Sequence, residues 1–477
     1  MAADPRAPGP QPPDTSGGGE YPRRVIIRFR PSFQPKKDRL EPRDLPGWDE
    51  VLRQFPSLTP PRRLVPSQTD GAKAIEKLVS RAKQRDPNYK PAPFEQYYVV
   101  DVPRELAEDA PVALVEALSH LTVVEQAYVE SRPFPPPSTM TAPAVSCIWN
   151  QLHLKPAPVG IDAEYAWTQA GGEGQLQGFV DIEWGWGMTS AAAGGQVVSH
   201  AALQSPQILL LAGRNEGFEG HGTRALGVVA ADLLTNGVRG ITPSLARIAC
   251  VGQWRPAEPG DTVDPVNDIG RAISVAADSM QPGDVLLLEA QGESGGLVNV
   301  AIESESYIWN VIKLATSAGI VVIEPAGNGN VNIDPLLTAD SGAIIVGAAE
   351  PGSCVKTNQS CYGTRVHCYA WGNQVVTTDY HLFNRVDAYT QPCGPMAPFA
   401  GTSSAAAIIA GAALAVQGLA QAARGCRLEP AAVRAILSDP ANATAAAAGA
   451  QIGVMPDLKK ILTQVINTAA LNAFSCA

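Results

Sequence analysis

The apolar positions of the chain fall into two textures that meet near residue 145. In the first, RRVIIRFRP (23–31) carries the β-branched run of a strand, and GAKAIEKLVSRAK (71–83) sets Ala72, Ile75, Leu78 and Val79 on one helical stripe. FEQYYVVDV (94–102) reads as a second strand, and APVALVEALSHL (110–121) as a second amphipathic helix with Pro111 in its first turn. VVEQAYVES (123–131) alternates as a third strand. Strand, helix, strand, helix, strand is the order of a split-βαβ, ferredoxin-like α+β unit. The Pro-rich segment 32–70 is expected to cover it as loop.

SRPFPPPSTMTAP (131–143) then reads as a linker. Beyond it, short and nearly continuous apolar runs alternate with Gly- and Ala-rich helical stretches. The runs are LQGFVDI (176–182), DVLLLEA (284–290), GIVVIEPA (319–326) and GAIIVGAA (342–349). They predict an α/β domain built on a parallel sheet covered by helices on both faces. The expected organisation is a tail at 1–20, a small α+β domain at 21–133, a linker at 134–145 and a large α/β domain at 146–477. In open α/β sheets the chemistry sits beyond the C-terminal strand ends. That rule points to Asp181, Glu289 and Asn328.

Composition sharpens this picture. The chain of 477 residues is 45% hydrophobic and 17% charged, with 44 Gly, 41 Pro and a net charge of −10. An acidic balance argues against nucleic acid as a partner. No run of about 18 apolar residues appears, so no membrane span is expected. Residues 1–145 hold 20 Lys and Arg against 19 Asp and Glu, whereas the remainder holds 16 against 27, so the charge marks the same boundary. The first twenty residues contain nine Pro or Gly and no apolar core of a signal peptide. They are expected to be a disordered tail, on a protein that is cytoplasmic or exported by a non-classical route. Eight Cys are too few for a disulfide scaffold. Cys354, Cys361, Cys368 and Cys393 lie close together, as loop disulfides, a metal set or reduced apolar side chains, and no CxxC pair favours zinc.

Four polar residues stand at strand ends or helix starts. Asp181 follows QGFV, His221 opens HGTRALGVVAA, Asn328 lies in PAGNGN, and Ser403 lies in FAGTSSAAAIIAGAA at the mouth of an Ala-rich helix. Acyl transfer needs these types: a hydroxyl nucleophile, an imidazole to take its proton, a carboxylate to fix the imidazole tautomer, and an amide donor for the oxyanion. A Ser at a helix N-terminus also gains backbone N–H groups. A phosphate-loop reading of GNGN fails, because no GxGxxG opens a helix and no GK[ST] follows a Gly-rich loop.

The four blocks, spaced by 40, 107 and 75 residues, resemble the subtilisin-like serine proteases, the subtilases, over roughly residues 145–425. The resemblance implies a three-layer subtilisin-like sheet and a serine endopeptidase acting on protein or peptide substrates without a cofactor for chemistry. Ser403 would be the nucleophile, His221 the general base, Asp181 its orienting carboxylate and Asn328 the oxyanion donor. A protease-like scaffold is the rival reading, and the complete quartet argues against it. Arg224 stands where the family often has a second His, and Ala407 and Ile408 replace the usual Pro-His. LLEAQGESGG (287–296) replaces the usual substrate strand, so Glu289, Ala290, Gln291 and Gly292 would line one wall of the substrate pocket. Pro325, Ala326 and Gly327 would line the other. Glu289 or Glu324 either pairs with a basic substrate side chain or points away. The family's propeptides imply that the N-terminal domain is an intramolecular inhibitor, with autocleavage between about Glu130 and Cys147. Structural calcium is common in the family, and Asp334 and Asp340 are available carboxylates. The remaining His residues (120, 153, 200, 367 and 381) show no ligand spacing.

Overall fold

The computed structural model describes residues 23–135, 151–191, 194–232, 238–259, 261–379 and 399–477. The expected tail at 1–20, most of the linker, Cys147, His381 and Cys393 lie outside the described residues.

The apolar runs of the second texture form the middle of an eleven-stranded sheet. From edge to edge it passes through Ala443–Ala445, Val454–Pro456, Cys368–Trp371, Ile344–Ala349, Val321–Pro325 and Val285–Leu288. It continues through Gly178–Glu183, Arg247–Gly252, Leu209–Ala212, Gln196–Val198 and Met188–Ser190. The strands from Val454–Pro456 to Leu209–Ala212 are parallel, and antiparallel strands close both edges. Both faces are buried, which is why the central strands read as unbroken apolar runs.

Alternation along each strand divides the core into two layers. On the strand Gly178–Glu183, Phe179 packs with the layer of the helices Glu219–Ala230 and Gly401–Arg424, whereas Val180 and Ile182 pack with the layer of Ile269–Ser279 and Ser306–Ser317. Asp181 and Glu183 therefore face the first layer. On the neighbouring strand the same rule sends Leu287 to that layer and Leu286 and Leu288 to the other. Glu289, the next residue, turns toward the first layer beside Glu183, and its N–H donates to Ile182 O at 3.1 Å. The result is an α/β three-layer architecture.

The helix Gly401–Arg424 meets the length and apolarity of a membrane span, unlike the sequence expectation, yet its apolar stretch is wholly buried. Its small residues explain both facts. At Gly411 an added Cβ would meet Ile241 at 2.7 Å, and at Gly418 it would meet Gly171 O at 2.1 Å, so the helix runs in direct contact with the structure around it. It is the core helix of the domain.

The first texture forms a separate four-stranded antiparallel sheet. Its strands are Arg23–Phe29, Tyr97–Val102 and Val124–Val129, with the two-residue Arg62–Arg63 at one edge. The helices Asp70–Arg85 and Ala110–Ser119 sit where periodicity places them. Segment 32–70 is not loop throughout. It contains the helix Trp48–Gln54, which buries Trp48 and Val51, and the edge strand that pairs with Tyr97–Val102. Proline density masked both, because each is too short to show a period.

This unit docks on the helices Ile269–Ser279 and Ser306–Ser317. Ile26, Ile75, Leu78, Phe94, Tyr97 and Val99 share one buried cluster with Ile269, Ile273, Tyr307 and Val311. Tyr97 and Phe94 meet the Tyr307 ring at 5.2 and 6.2 Å. Arg62–Asp261 at 3.2 Å, Lys77–Asp278 at 2.8 Å and Arg85–Glu429 ring the contact, with Asp70–Arg271 in the opposite sense. Apart from Arg62–Asp261, which is largely buried, these pairs are partly exposed and worth about 0–1 kcal/mol each, so the apolar contact carries the larger part.

Among the cysteines, Cys426 and Cys476 form a disulfide that ties the end of the core helix to the C-terminal segment. Cys354, Cys361 and Cys368 are unbridged, with Cys361 and Cys368 buried.

Candidate functional site

The site assembles where three central strands end and two helices of the first layer begin. His221 lies in the first turn of Glu219–Ala230. Gly222 lets that turn approach the strand end, because a Cβ there would meet Gly185 O at 2.4 Å and Trp186 Nε1 at 2.7 Å. Ser403 lies in the first turn of Gly401–Arg424, entered through Gly401 at φ +85°. Asn328 follows the strand Val321–Pro325 across Gly327 at φ +99°.

These residues surround a single cavity of about 20 Å³, lined by His221, Ser403, Thr402, Asn328, Glu289 and Gln291 together with Ala290, Pro325 and Phe134. The Asn328 carboxamide is held by its oxygen, which accepts from Thr402 N–H at 3.0 Å and Thr402 Oγ1 at 3.2 Å. Its Nδ2 therefore points away from the Ser helix and donates to Gln291 Oε1 at 3.3 Å. His221 packs edge-on against Phe399, with ring centroids 5.0 Å apart.

The carboxylate partner differs from the sequence expectation. His221 Nδ1 is hydrogen-bonded to Glu183 Oε1, and the other Glu183 oxygen accepts Trp184 N–H at 3.1 Å. Asp181 instead accepts Trp186 Nε1–H at 2.8 Å through Oδ2, and Oδ1 has no partner. The reason is strand geometry. Asp181 and Glu183 point to the same face, but a two-residue step moves the side chain about 6.6 Å along the strand. Asp181 pairs across the sheet with Cys250 inside the strand, whereas Glu183 stands at its end, level with the helix mouths. The signal that finds Glu183 is the apolar-polar alternation of VDIE, which continues two residues past Asp181 before the Gly185 turn.

The other expected residues divide clearly. Glu289, Ala290, Gln291 and Pro325 line the cavity. Gly292, Ala326 and Gly327 do not. Gly292 packs beside Ser131, Ala326 is buried with its N–H on Val346 O, and Gly327 lies against Asn299 O. Glu289 faces His221 and Ser403, while Glu324 is buried elsewhere, beside the charges of Glu303 and Arg365. Arg224 forms a buried ion pair with Asp379 at 2.8 Å. Asp340 is engaged by Arg434 and Arg365, and Asp334 accepts the Thr364 and Arg365 N–H groups.

The site is short of compensating charge. Burial raises the Glu183 carboxyl well above the carboxylate range, and burial followed by the Glu183 charge does the same to Asp181. Burial, then Glu183, then Asp181, raise Glu289. Burial, then Arg224, lowers the His221 imidazole to about 3. All these directions have one meaning: a site stripped of water resists net charge. On the reading of Asn328 as an oxyanion donor, replacing it by Ala is expected to lower kcat about 100- to 1000-fold with little change in KM, because such a donor acts on charge present only in the transition state. Steady-state kinetics on a peptide substrate checks this.

A family model described as the subtilase family matches residues 212–455, which include His221, Asn328 and Ser403 and begin after Glu183. No match is found among curated proteins. Among solved structures, the chain is similar to the MycP3 protease from the type VII (ESX-3) secretion system at 19% identity, covering 69% of this chain and 92% of that one, TM-score 0.46. It is similar to a cold adapted subtilisin-like serine proteinase at 16% identity, 66% and 98% coverage, TM-score 0.44. It is also similar to a protease of Pseudoalteromonas arctica at 17% identity, 67% and 99% coverage, TM-score 0.43. With more than half of its length matched by the family model, the chain belongs to the subtilase family of serine-type peptidases.

Proposed function

We propose that the protein is a serine endopeptidase that forms its acyl-enzyme on Ser403, with His221 as general base and Glu183 as the carboxylate that orients it. The observation that carries this reading is the convergence of Ser403, His221 Nε2 and Asn328 Nδ2 on one cavity, with Glu183 on the opposite ring nitrogen. Glu183 fixes the proton on Nδ1 and leaves Nε2 as the acceptor. His221 Nε2 is buried and has no partner, so it is free to take the Ser403 proton once substrate brings the hydroxyl into line. The proton then passes to the leaving amine. A substrate carbonyl displaces the Gln291 carboxamide from Asn328 Nδ2 and takes its place as the developing oxyanion. The first turn of the Ser403 helix adds the field of its N–H groups there.

We further propose that the N-terminal unit holds the site closed. Ser131 extends from its last strand and bonds Glu293 in both directions, Ser131 Oγ to Glu293 O at 3.0 Å and Glu293 N to Ser131 Oγ at 3.1 Å. Ser131 N–H donates to Glu305 at 3.2 Å, and Phe134 reaches the cavity wall. This path lays the tail along the strand Gln291–Ser294, in the position of a cleaved product. Incubating the full chain and measuring its intact mass tests both proposals. A cut between Glu130 and Cys147 is expected, and a chain that hydrolyses peptides while remaining uncut contradicts the product-like tail.

The docked tail also has a pH dependence. Burial, then the Glu130 charge, push the Glu305 carboxyl up to about 8, with the Ser131 hydrogen bonds and then Arg24 opposing. The docked state thus binds a proton that an undocked Glu305 releases near its ordinary value. Docking strength is full below about 4.5 and declines as pH rises through 8. Released N-terminal fragment, measured by gel filtration after cleavage, is expected to increase across that window, and Glu305→Gln is expected to flatten the increase. Added salt loosens the same contact only modestly, since apolar burial carries most of it.

A further inference from the structure

Two features of the cavity bear on more than peptide hydrolysis. Both oxygens of Glu289 are buried short of normal hydrogen-bond geometry, and the Ser403 hydroxyl is the one hydrogen-bonding group that bears on its carboxyl. His221 Nε2 is also buried and unpartnered. One donor atom from each of Glu183, His221 and Glu289 lies within 4.8 Å of the others. The cavity of about 20 Å³ that His221 and Glu289 line has room for one water or one ion.

The donor set selects the class of ion. An imidazole nitrogen together with carboxylate oxygens suits zinc and its neighbours, whereas calcium and magnesium prefer all-oxygen sets. The other side of the ring is already arranged for such an ion. Glu183 is hydrogen-bonded to Nδ1, where a carboxylate fixes ring orientation and raises the basicity of a metal-binding imidazole. Arg224, whose charge bears on His221, is taken by Asp379, and among the described residues no ion pair to Glu289 is formed.

We propose that His221 Nε2 and the Glu289 carboxylate bind one zinc-class divalent ion, with Glu183 orienting the ring, and that the ion switches the enzyme off by occupying the lone pair needed to deprotonate Ser403. The inhibition rests on the function proposed above, but the binding does not. The ion replaces protons and water in the cavity and forms no bond to substrate. It is removed by a chelator, so the inhibition is reversible.

The test is made on the full chain carrying Ser403→Ala, which does not cut itself, after chelator treatment. Zinc alone is titrated in competition with a chromophoric chelator, and cobalt absorption reports the ligand set. One ion per chain is expected. Glu289→Gln is expected to weaken binding by about 10- to 100-fold, and His221→Ala to abolish it. Zinc should raise the melting temperature of the parent but not of Glu289→Gln. Glu289→Ser is the substitute if the Gln variant shows no cooperative melt. Absence of stoichiometric binding, or binding unchanged by the Glu289 substitutions, overturns the proposal. In chains with Ser403 intact, zinc should suppress peptide hydrolysis, chelator should restore it, and Glu289→Gln should remove the zinc effect. Zinc binding through Glu289 in a chain that never hydrolyses peptides would instead refute the peptidase reading and leave the metal site standing.

Discussion

Replacing Ser403 with Ala is expected to lower kcat about 10⁶-fold and to leave the full-length chain uncut after incubation. The size follows from the division of labour in the site. Without the hydroxyl there is no covalent intermediate, and the imidazole and oxyanion donors alone can assist only direct attack by water. Asn328 and the helix mouth remain in place, so a residual rate above the uncatalysed one should survive. Ser403 lies in the first turn of a helix that is otherwise packed on all sides, and Ala is the better helix former. The loss is therefore chemical and not a failure to fold, which an unchanged melting temperature will show.

Replacing Glu183 with Gln is expected to lower kcat about 10⁴-fold, the scale typical of neutralising the carboxylate behind a catalytic imidazole. Gln keeps the shape of the side chain and can still take the Trp184 N–H. It cannot stabilise the imidazolium formed when Ser403 is deprotonated, and it permits the wrong ring tautomer. Asp181→Asn is the informative comparison. Asp181 meets Trp186 and not His221, so its Asn variant should retain activity within about tenfold, an effect transmitted through the Trp186 contact. Glu183→Asp should fall between the two, because the charge is kept but the carboxylate is one methylene short of Nδ1.

Much of this was legible before any coordinates. The central strands announced themselves because parallel strands buried on both faces must be apolar throughout, and Val285–Leu288 and Ile344–Ala349 are such runs. The helices Glu219–Ala230 and Gly401–Arg424 were marked by small residues that close packing demands. His221, Asn328 and Ser403 stood out because each opens or follows an element with a clear signature, and the fold brings them to one cavity. Glu183 was missed because two carboxylates share one face of one strand, and only the point where the strand ends decides between them. The docking of the N-terminal unit could be guessed from charge, but its apolar contact through Tyr97, Phe94 and Tyr307 depends on long-range packing that no local pattern encodes. The disulfide Cys426–Cys476 had no signal either, since its partners are 50 residues apart.

The central claim is that Ser403 is a nucleophile driven by His221 and Glu183. Its most direct test is the rate at which a fluorophosphonate modifies the chain after self-cleavage, with the adduct located by peptide mass. The wild type and Asp181→Asn are expected to carry the adduct on Ser403 at similar rates, and Glu183→Gln to react far more slowly. A wild type that takes no adduct on Ser403, or a reactivity lost in Asp181→Asn and kept in Glu183→Gln, would contradict it.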